Sequence, residues 1–107
     1  MAAFLDVWVN CPDRATAEAI AADCIEKRLA ACANIFAPIA SLYHWKGEVE
    51  SDEEVPLLLK TRGALFEQLC AAVKAKHPFE VPSIVATELV AIDAAYAAWL
   101  EDEMQAG

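Results

Sequence analysis

The stretch that decides the fold runs from Asn34 to Thr61 and reads NIFAPIASLYHWKGEVESDEEVPLLLKT. Its first part, Asn34 to Trp45, is rich in β-branched, aromatic and small residues, which favour an extended strand. Lys46-Gly47 is the turn, and a second strand follows from Glu48 to Thr61. Pro38 cannot donate a hydrogen bond to a neighbouring strand, so the first strand is expected to lie at an edge or to bulge there. The stretch therefore predicts a long β-hairpin.

The residues before the hairpin predict a strand and then a helix. Phe4 to Asn10 alternates, with Leu5, Val7 and Val9 on one side, which is the period of a half-buried strand. Pro12-Asp13 stops this strand, and Asp13 is placed to accept hydrogen bonds from the first turn of a helix. The inward face of that helix is predicted to consist of Ala17, Ile20, Ala21, Cys24 and Ile25.

The residues after the hairpin predict a helix, a strand and a final helix. The first of these begins at Thr61 or at Arg62-Gly63 and ends before Pro78. Prolines make the segment 77–82 irregular, and a strand follows from Ser83 to Val90. Asp93 is predicted to cap the last helix. The inward side chains are expected to be Leu65, Phe66, Leu69 and Val73 in the first helix, and Tyr96, Trp99, Leu100 and Met104 in the last.

The order of elements is β-α-β-β-α-β-α, which defines an α+β fold. Its first six elements match the split β-α-β sandwich known as ferredoxin-like. A chain of 107 residues without an internal repeat or a Gly/Ser linker is expected to form one domain over residues 1–107. In a ferredoxin-like sheet the last strand lies antiparallel beside the first, and the third lies on the other side of the first.

Composition narrows the classes of partner. Seventeen acidic and eight basic residues give a net charge of −9, which argues against a nucleic-acid or anionic-membrane surface. The acidic run of the hairpin is expected on a solvated face; it comprises Glu48, Glu50, Asp52, Glu53 and Glu54. The chain shows neither a signal peptide at its start nor an apolar stretch long enough for a membrane helix. Four cysteines without a C-x-x-C pair are read as reduced thiols, so we expect a cytoplasmic protein.

The predicted sheet brings Cys11 and His77 to one edge, because Cys11 ends the first strand and His77 precedes the last. A thiolate and an imidazole together suit copper or zinc. The start of a helix just after Cys11 favours the thiolate, whereas Asp13 opposes it. The alternative is a packed cysteine and a histidine that holds the turn before Pro78. Two recognisable ligands are fewer than the four or so of a structural metal site.

The other candidates for chemistry are weaker. Cys24 and Cys32 are expected in the core, Cys70 is expected to be partly covered and inert, and His44 is expected on a strand surface. The sequence has no phosphate-binding glycine motif and no serine with an obvious base, so no enzyme is predicted. An acylphosphatase-like site would need glycines around Arg14, and they are missing.

Several motifs, in this order and spacing, give the chain a strong resemblance to the CutA-type divalent-cation tolerance proteins. They are Asn10-Cys11-Pro12-Asp13, the run LAACANI from Leu29, the run SLYHWKG from Ser41, Leu59-Lys60-Thr61, the run HPFEVP from His77, and Tyr96-x-x-Trp99-Leu100. The resemblance covers nearly the whole chain. It implies a ferredoxin-like homotrimer similar to the PII signalling proteins, with copper or another divalent metal, such as zinc, bound by some members.

The chain departs from the family pattern at three places. The family usually has tyrosine where Phe79 stands, so a role for that hydroxyl is absent here. Some members have a second histidine where this chain has Lys76. Residues 89–93 read LVAID, where the family often has a proline and a glycine. The first two departures bear directly on the candidate metal pair, Cys11 and His77.

The length of the hairpin supports assembly. Each arm has more than ten residues, against about 5–6 in an ordinary strand. The overhang would leave backbone groups unpaired unless another subunit covers them. Apolar residues suited to that contact are Phe36, Ile39, Leu42 and Trp45.

Three classes of function therefore compete. The first is a trimeric metal-binding or metal-response protein without catalysis. The second is a PII-like regulatory module that binds a small molecule in a cleft between subunits. The third is a structural assembly protein that partners another chain.

Overall fold

The structure, a computed structural model, describes residues 3–106. Met1, Ala2 and Gly107, which include both ends of the predicted domain, lie outside the described residues. The regular elements are β1 (Phe4–Cys11), α1 (Arg14–Glu26), β2 (Cys32–Ile35), β3 (Ile39–Trp45), β4 (Glu48–Arg62), a short 3₁₀ turn (Gly63–Leu65), α2 (Phe66–Lys76), β5 (Ile84–Glu88) and α3 (Ala94–Glu103).

The strands form an antiparallel sheet in the order β2-β4-β1-β5, with β3 paired to the rest of β4. This is the ferredoxin-like order, so the predicted fold class is confirmed. Alternate residues of β1 face the helices, and Leu5, Val7 and Val9 are buried there as predicted. They pack with Leu57 and Leu59 of β4 in one core beneath α1 and α2. The fold thus places the end of β1, at Asn10 and Cys11, beside the loop that follows α2.

The hairpin projects beyond the sheet. The first half of β4, Glu48–Glu54, pairs with β3, and only Val55–Arg62 pairs with β1. The molecule is accordingly elongated, measuring 45 × 25 × 24 Å. Lys46 and Gly47 have φ values of 50° and 84°, and two consecutive positive values are what a tight hairpin turn requires.

The first arm of the hairpin differs from its prediction. It was predicted as one strand from Asn34 to Trp45, but it is divided into β2 and β3. The break falls around Pro38, which has no N–H to donate, so the predicted irregularity at that residue is confirmed. Just before the break, the Phe36 N–H still donates to the Pro56 carbonyl at 2.9 Å.

The helix caps were predicted correctly, whereas three helical side chains were misplaced. Asp13 accepts from the Thr16 N–H at 2.8 Å, and Asp93 accepts from the Tyr96 N–H at 3.2 Å. Three side chains predicted to face inward are 38–45% exposed; they are Ile25, Tyr96 and Trp99. Ile25 lies at the margin of the α1 stripe, one step around the helix from Cys24. The rings of Tyr96 and Trp99 stack on each other at 5.6 Å instead of entering the core.

Two further boundaries are shorter than predicted. The last strand spans Ile84–Glu88 rather than Ser83 to Val90, and α2 begins at Phe66 after a 3₁₀ turn. Within residues 3–106, no helix combines the length and the apolar character that crossing a membrane requires.

Candidate functional site

The end of β1 has a backbone carbonyl that no strand covers. Leu89 N–H donates to the Phe4 carbonyl at 3.1 Å, so the even-numbered residues of β1 present their backbone groups to β5. The pairing of β5 with β1 stops at Ile84 opposite Val9. The carbonyl of Asn10 therefore points past the end of β5, toward the loop that follows α2.

His77 occupies that position. It is the residue after the last turn of α2, and its side chain is only 7% exposed. Its Nε2 lies 2.8 Å from the Asn10 carbonyl oxygen, and its Nδ1 accepts from the Phe79 N–H at 3.2 Å. A carbonyl can only accept, so Nε2 carries the ring proton. A backbone N–H can only donate, so Nδ1 carries none. Both ring nitrogens are thus in use, and the ring holds the loop against the end of β1.

Cys11 lies one residue further along the strand but faces the core. Its side chain is 0% exposed, and it stands opposite Val55 on the helix side of the sheet. Burial raises the pKa of the thiol from 9.0 to about 11, with further increases from the charges of Asp13 and Glu54. The helix start that was expected to favour the thiolate is therefore outweighed, and Cys11 is a thiol.

His77 thus contacts the backbone of the residue before Cys11 at one corner of the sheet, while the Cys11 side chain faces the core. The described residues contain no group of three or more His, Cys, Asp or Glu side chains arranged to hold a metal. A metal bound by Cys11 and His77 would have to replace the thiol proton and one of the two hydrogen bonds of His77. The structure leaves the prediction of metal binding at this pair open.

The remaining cysteines and His44 follow their predictions in part. Cys24 is fully buried, and its pKa is raised to about 11 by burial and by the charge of Asp23. Cys70 is half-buried, and burial raises the pKa of its thiol too. Cys32 was expected in the core but is only half-buried, with its sulfur 3.7 Å from the Asn34 amide oxygen. His44 is exposed on β3, as predicted.

A groove of about 530 Å³ lies next to this corner, between the hairpin and the loop after His77. Its floor and sides are formed by Asn10, Ala40, Ser41, Leu42, Tyr43, Trp45, Glu54, Phe79, Val81 and Ser83. A second hollow of about 460 Å³ shares Tyr43, Trp45 and Phe79 with it and extends toward the hairpin tip. We call the first hollow the inner groove and the second the outer groove.

Glu54 is the residue of the inner groove that sequence reasoning missed. The acidic run was expected on a solvated face, and Glu48, Asp52 and Glu53 are indeed exposed. Glu54 is only 6% exposed, so the expectation is wrong for this residue. It is the last residue of β4 before the strand enters the sheet, and it lines the inner groove together with Phe79 and Val81 of the loop after His77. Its place at the base of the hairpin, beside Val55-Pro56, was the one available signal.

The outer groove already contains a charged group of the chain itself. The Lys46 ammonium lies 5.6 Å from the centre of the Trp45 ring and 3.6 Å from a Glu80 carboxylate oxygen. The Tyr43 hydroxyl donates to Asp52, and this hydrogen bond raises the pKa of Tyr43 to about 12. The outer groove is therefore built from aromatic faces and carboxylates, a combination that suits cations.

The strand order and the projecting hairpin define a small α+β protein with a ferredoxin-like sheet. The chain belongs to the CutA1 divalent ion tolerance protein family, whose model matches residues 5–103. The divalent-cation tolerance protein CutA of Thermus thermophilus is 42% identical over 96 residues, which are 90% of this chain and 93% of that protein. Protein CutA of Mus musculus is 39% identical over 93 residues, covering 87% of this chain.

Solved structures of CutA1 proteins have the same fold as this chain. The CutA1 structure from Oryza sativa superposes with a TM-score of 0.95 at 33% identity, covering 99% of this chain and 97% of that one. The chain spans about half the length of the mouse protein, 52%. The relatives come from more than one compartment, because the one from Arabidopsis thaliana is described as chloroplastic and the one from Archaeoglobus fulgidus as periplasmic.

Proposed function

We propose that the chain is a divalent-metal tolerance protein of copper type, which binds metal as a homotrimer and catalyses no reaction. One observation supports the metal assignment: the His77 ring contacts the carbonyl of Asn10, the residue next to Cys11, at the end of β1. Sulfur and imidazole nitrogen are ligands that favour copper over zinc. Further ligands would come from a neighbouring subunit, because Glu54 lies on the opposite face of the sheet from Cys11.

This site would bind metal in exchange for protons. The Cys11 thiol, with its pKa near 11, must lose its proton, so apparent affinity is expected to fall as the solution becomes more acidic. His77 would turn one nitrogen from Asn10 or Phe79 to the metal and release that backbone group to water. Metal binding is therefore expected to loosen the loop after α2.

The test is calorimetric titration of copper and of zinc into the protein and into Cys11→Ser and His77→Ala. Cys24→Ser is the matched control, because Cys24 is equally buried and has a similarly raised pKa. Copper binding should weaken at least tenfold in both site variants and stay unchanged in the control. Unchanged affinity and stoichiometry in both site variants would mean that any metal binds elsewhere. Loss in Cys11→Ser alone would leave His77 as a purely structural residue.

The projecting hairpin supports the trimer. The segment Glu48–Glu54 of β4 is paired on one edge only, with β3, and the outer edge of β3 has no partner among residues 3–106. Such edges invite pairing with another chain. Apolar side chains are exposed on the same region: Phe36 (41%), Ile39 (42%), Leu42 (76%) and Val49 (66%). Sedimentation at micromolar concentration should give three times the 11.6 kDa chain mass, and a monomer would contradict the proposal.

A second candidate function is a PII-like module that binds a small molecule at a subunit boundary. The inner groove favours it, because this groove is large enough for a small ligand and contains the buried Glu54. The experiment is native mass spectrometry of the untagged protein, which should show a co-purified mass on the oligomer.

We further propose a cytoplasmic location, supported by four free thiols, and cell fractionation tests it.

A further inference from the structure

The inner groove contains a carboxylate with no partner. Glu54 is 94% buried, being 6% exposed, yet it has no hydrogen bond or ion pair with any residue from 3 to 106. Among residues 3–106, every fully buried side-chain oxygen has a hydrogen-bond partner. Because the Glu54 oxygens have none, they are not fully buried, and they open into the groove. The Glu54 side chain is thus a buried acidic group whose oxygens face the groove, and a ligand of opposite charge would supply the partner that the chain does not.

The walls around this carboxylate are aromatic. Tyr43, Trp45 and Phe79 line both the inner and the outer groove. Aromatic faces attract ammonium groups through the negative charge of the ring face. The chain demonstrates the contact itself, because the Lys46 ammonium lies over Trp45 and beside Glu80 in the outer groove. The inner groove repeats this pairing of ring and carboxylate with Glu54, but no cation of residues 3–106 reaches it.

The charge of the grooves excludes an anionic occupant. Apart from Lys46, which is paired with Glu80 at the outer groove, the charged residues at the two grooves are acidic: Glu54, Glu50, Asp52 and Glu80. Asp52 already accepts from Tyr43, and Glu80 is paired with Lys46. A hard inorganic cation would need several converging oxygen ligands, and the described residues offer no such group of acidic side chains. An organic cation needs only one carboxylate and the aromatic faces.

We propose that the inner groove binds a small organic ammonium ion, with Glu54 as its counter-ion and Tyr43, Trp45 and Phe79 around its apolar part. Asn10, Ser41 and Ser83 also line the groove and supply hydrogen-bonding groups for further N–H donors. This inference rests on the second candidate function and names its ligand class. It is independent of metal binding at Cys11 and His77.

The test is an NMR titration of the full chain with n-butylammonium, followed through the Trp45 indole signal and the amides of the loop after His77. Two probes of similar shape serve as controls: 1-butanol is uncharged, and butyrate carries a negative charge. The expected result is saturable binding of n-butylammonium at the groove, with binding of either other probe at least tenfold weaker.

Glu54→Gln should weaken n-butylammonium binding at least tenfold. The matched control is Glu53→Gln, which removes the same charge one residue away, from an exposed side chain on the other face of the hairpin. Equal binding by Glu54→Gln and the wild type would overturn the proposal, as would an equal loss in both variants. If 1-butanol or butyrate binds the groove as well as n-butylammonium, the ligand class is wrong and small-molecule binding stands. If none of the probes shifts the groove signals, both the ammonium proposal and the small-molecule function on which it rests are wrong.

Discussion

Replacing His77 by alanine tests whether the ring holds the loop after α2 in place. The substitution removes the bond from Nε2 to the Asn10 carbonyl and the bond from the Phe79 N–H to Nδ1. It also removes the edge contact between the rings of His77 and Phe79, whose centres are 4.8 Å apart at 62°. Because the ring is 93% buried, being 7% exposed, little water replaces these contacts in the native protein.

The expected loss follows from these contacts. Each hydrogen bond contributes about 1 kcal/mol net, and the aromatic pair adds roughly 0.5–1.5 kcal/mol. The free energy of unfolding should therefore fall by about 3 kcal/mol. Urea denaturation followed by circular dichroism, at one fixed protein concentration and in the presence of a chelator, measures this loss.

Two conservative variants show whether the hydrogen bonds are the cause. The Asn side chain of His77→Asn can accept from Phe79 as Nδ1 does, and His77→Gln can donate to Asn10 as Nε2 does. Each variant should recover about 1 kcal/mol of the loss. The reasoning is refuted if His77→Ala costs less than about 0.5 kcal/mol without metal, which lies below even one hydrogen bond. Recovery in neither conservative variant would assign the loss to ring packing alone.

Two further predictions concern the buried thiols and the assembly. Cys11 and Cys24 have pKa values raised from 9.0 to about 11, so the native state keeps protons that the unfolded chain releases. Their contribution to stability is complete below pH 9 and is lost as the pH rises through about 11, by roughly 3 kcal/mol per thiol. Urea denaturation at several pH values should show that the free energy of unfolding falls more steeply with pH in the wild type than in Cys11→Ala/Cys24→Ala over that window. The melting temperature should rise with protein concentration. Trp45→Ala should reduce this rise, and the fraction of trimer seen in sedimentation, more than Trp99→Ala does. Equal effects of the two tryptophan variants would remove the hairpin from the interface.

Local patterns in the sequence were sufficient for most of the fold. The alternation of Leu5, Val7 and Val9 specified which face of β1 is buried, because neighbouring side chains of a strand point to opposite sides. Asp13 and Asp93 specified two helix starts, since a cap needs only a residue and the next turn of the chain. The turn at Lys46-Gly47 follows from the same local chemistry.

Features that depend on distant segments were harder to predict. The fold class was sufficient to bring Cys11 and His77 together, because it determines which strands are neighbours. It does not determine hydrogen-bond roles, so the engagement of both ring nitrogens of His77 became visible only in the structure. Glu54 belongs by sequence to a solvated run, and Phe79 and Val81, which line the groove with it, come more than twenty residues later in the chain.

The burial of Glu54 leads to a last prediction, because a binding residue without its ligand should cost stability. The carboxylate lines the groove with Tyr43, Trp45 and Phe79 and has no partner from residues 3–106, so its charge is only partly solvated, which costs about 1 kcal/mol. Glu54→Gln removes the charge at nearly the same volume, so the free energy of unfolding without ligand should rise by about 1 kcal/mol. Glu53→Gln, on an exposed side chain, should change it by less than about 0.5 kcal/mol. Saturating n-butylammonium should stabilise the wild type and leave Glu54→Gln unchanged, since only the wild type retains the counter-ion. If Glu54→Gln is less stable than the wild type without ligand, the carboxylate has a structural partner. The proposal that Glu54 is the counter-ion of a bound ammonium ion would then be wrong.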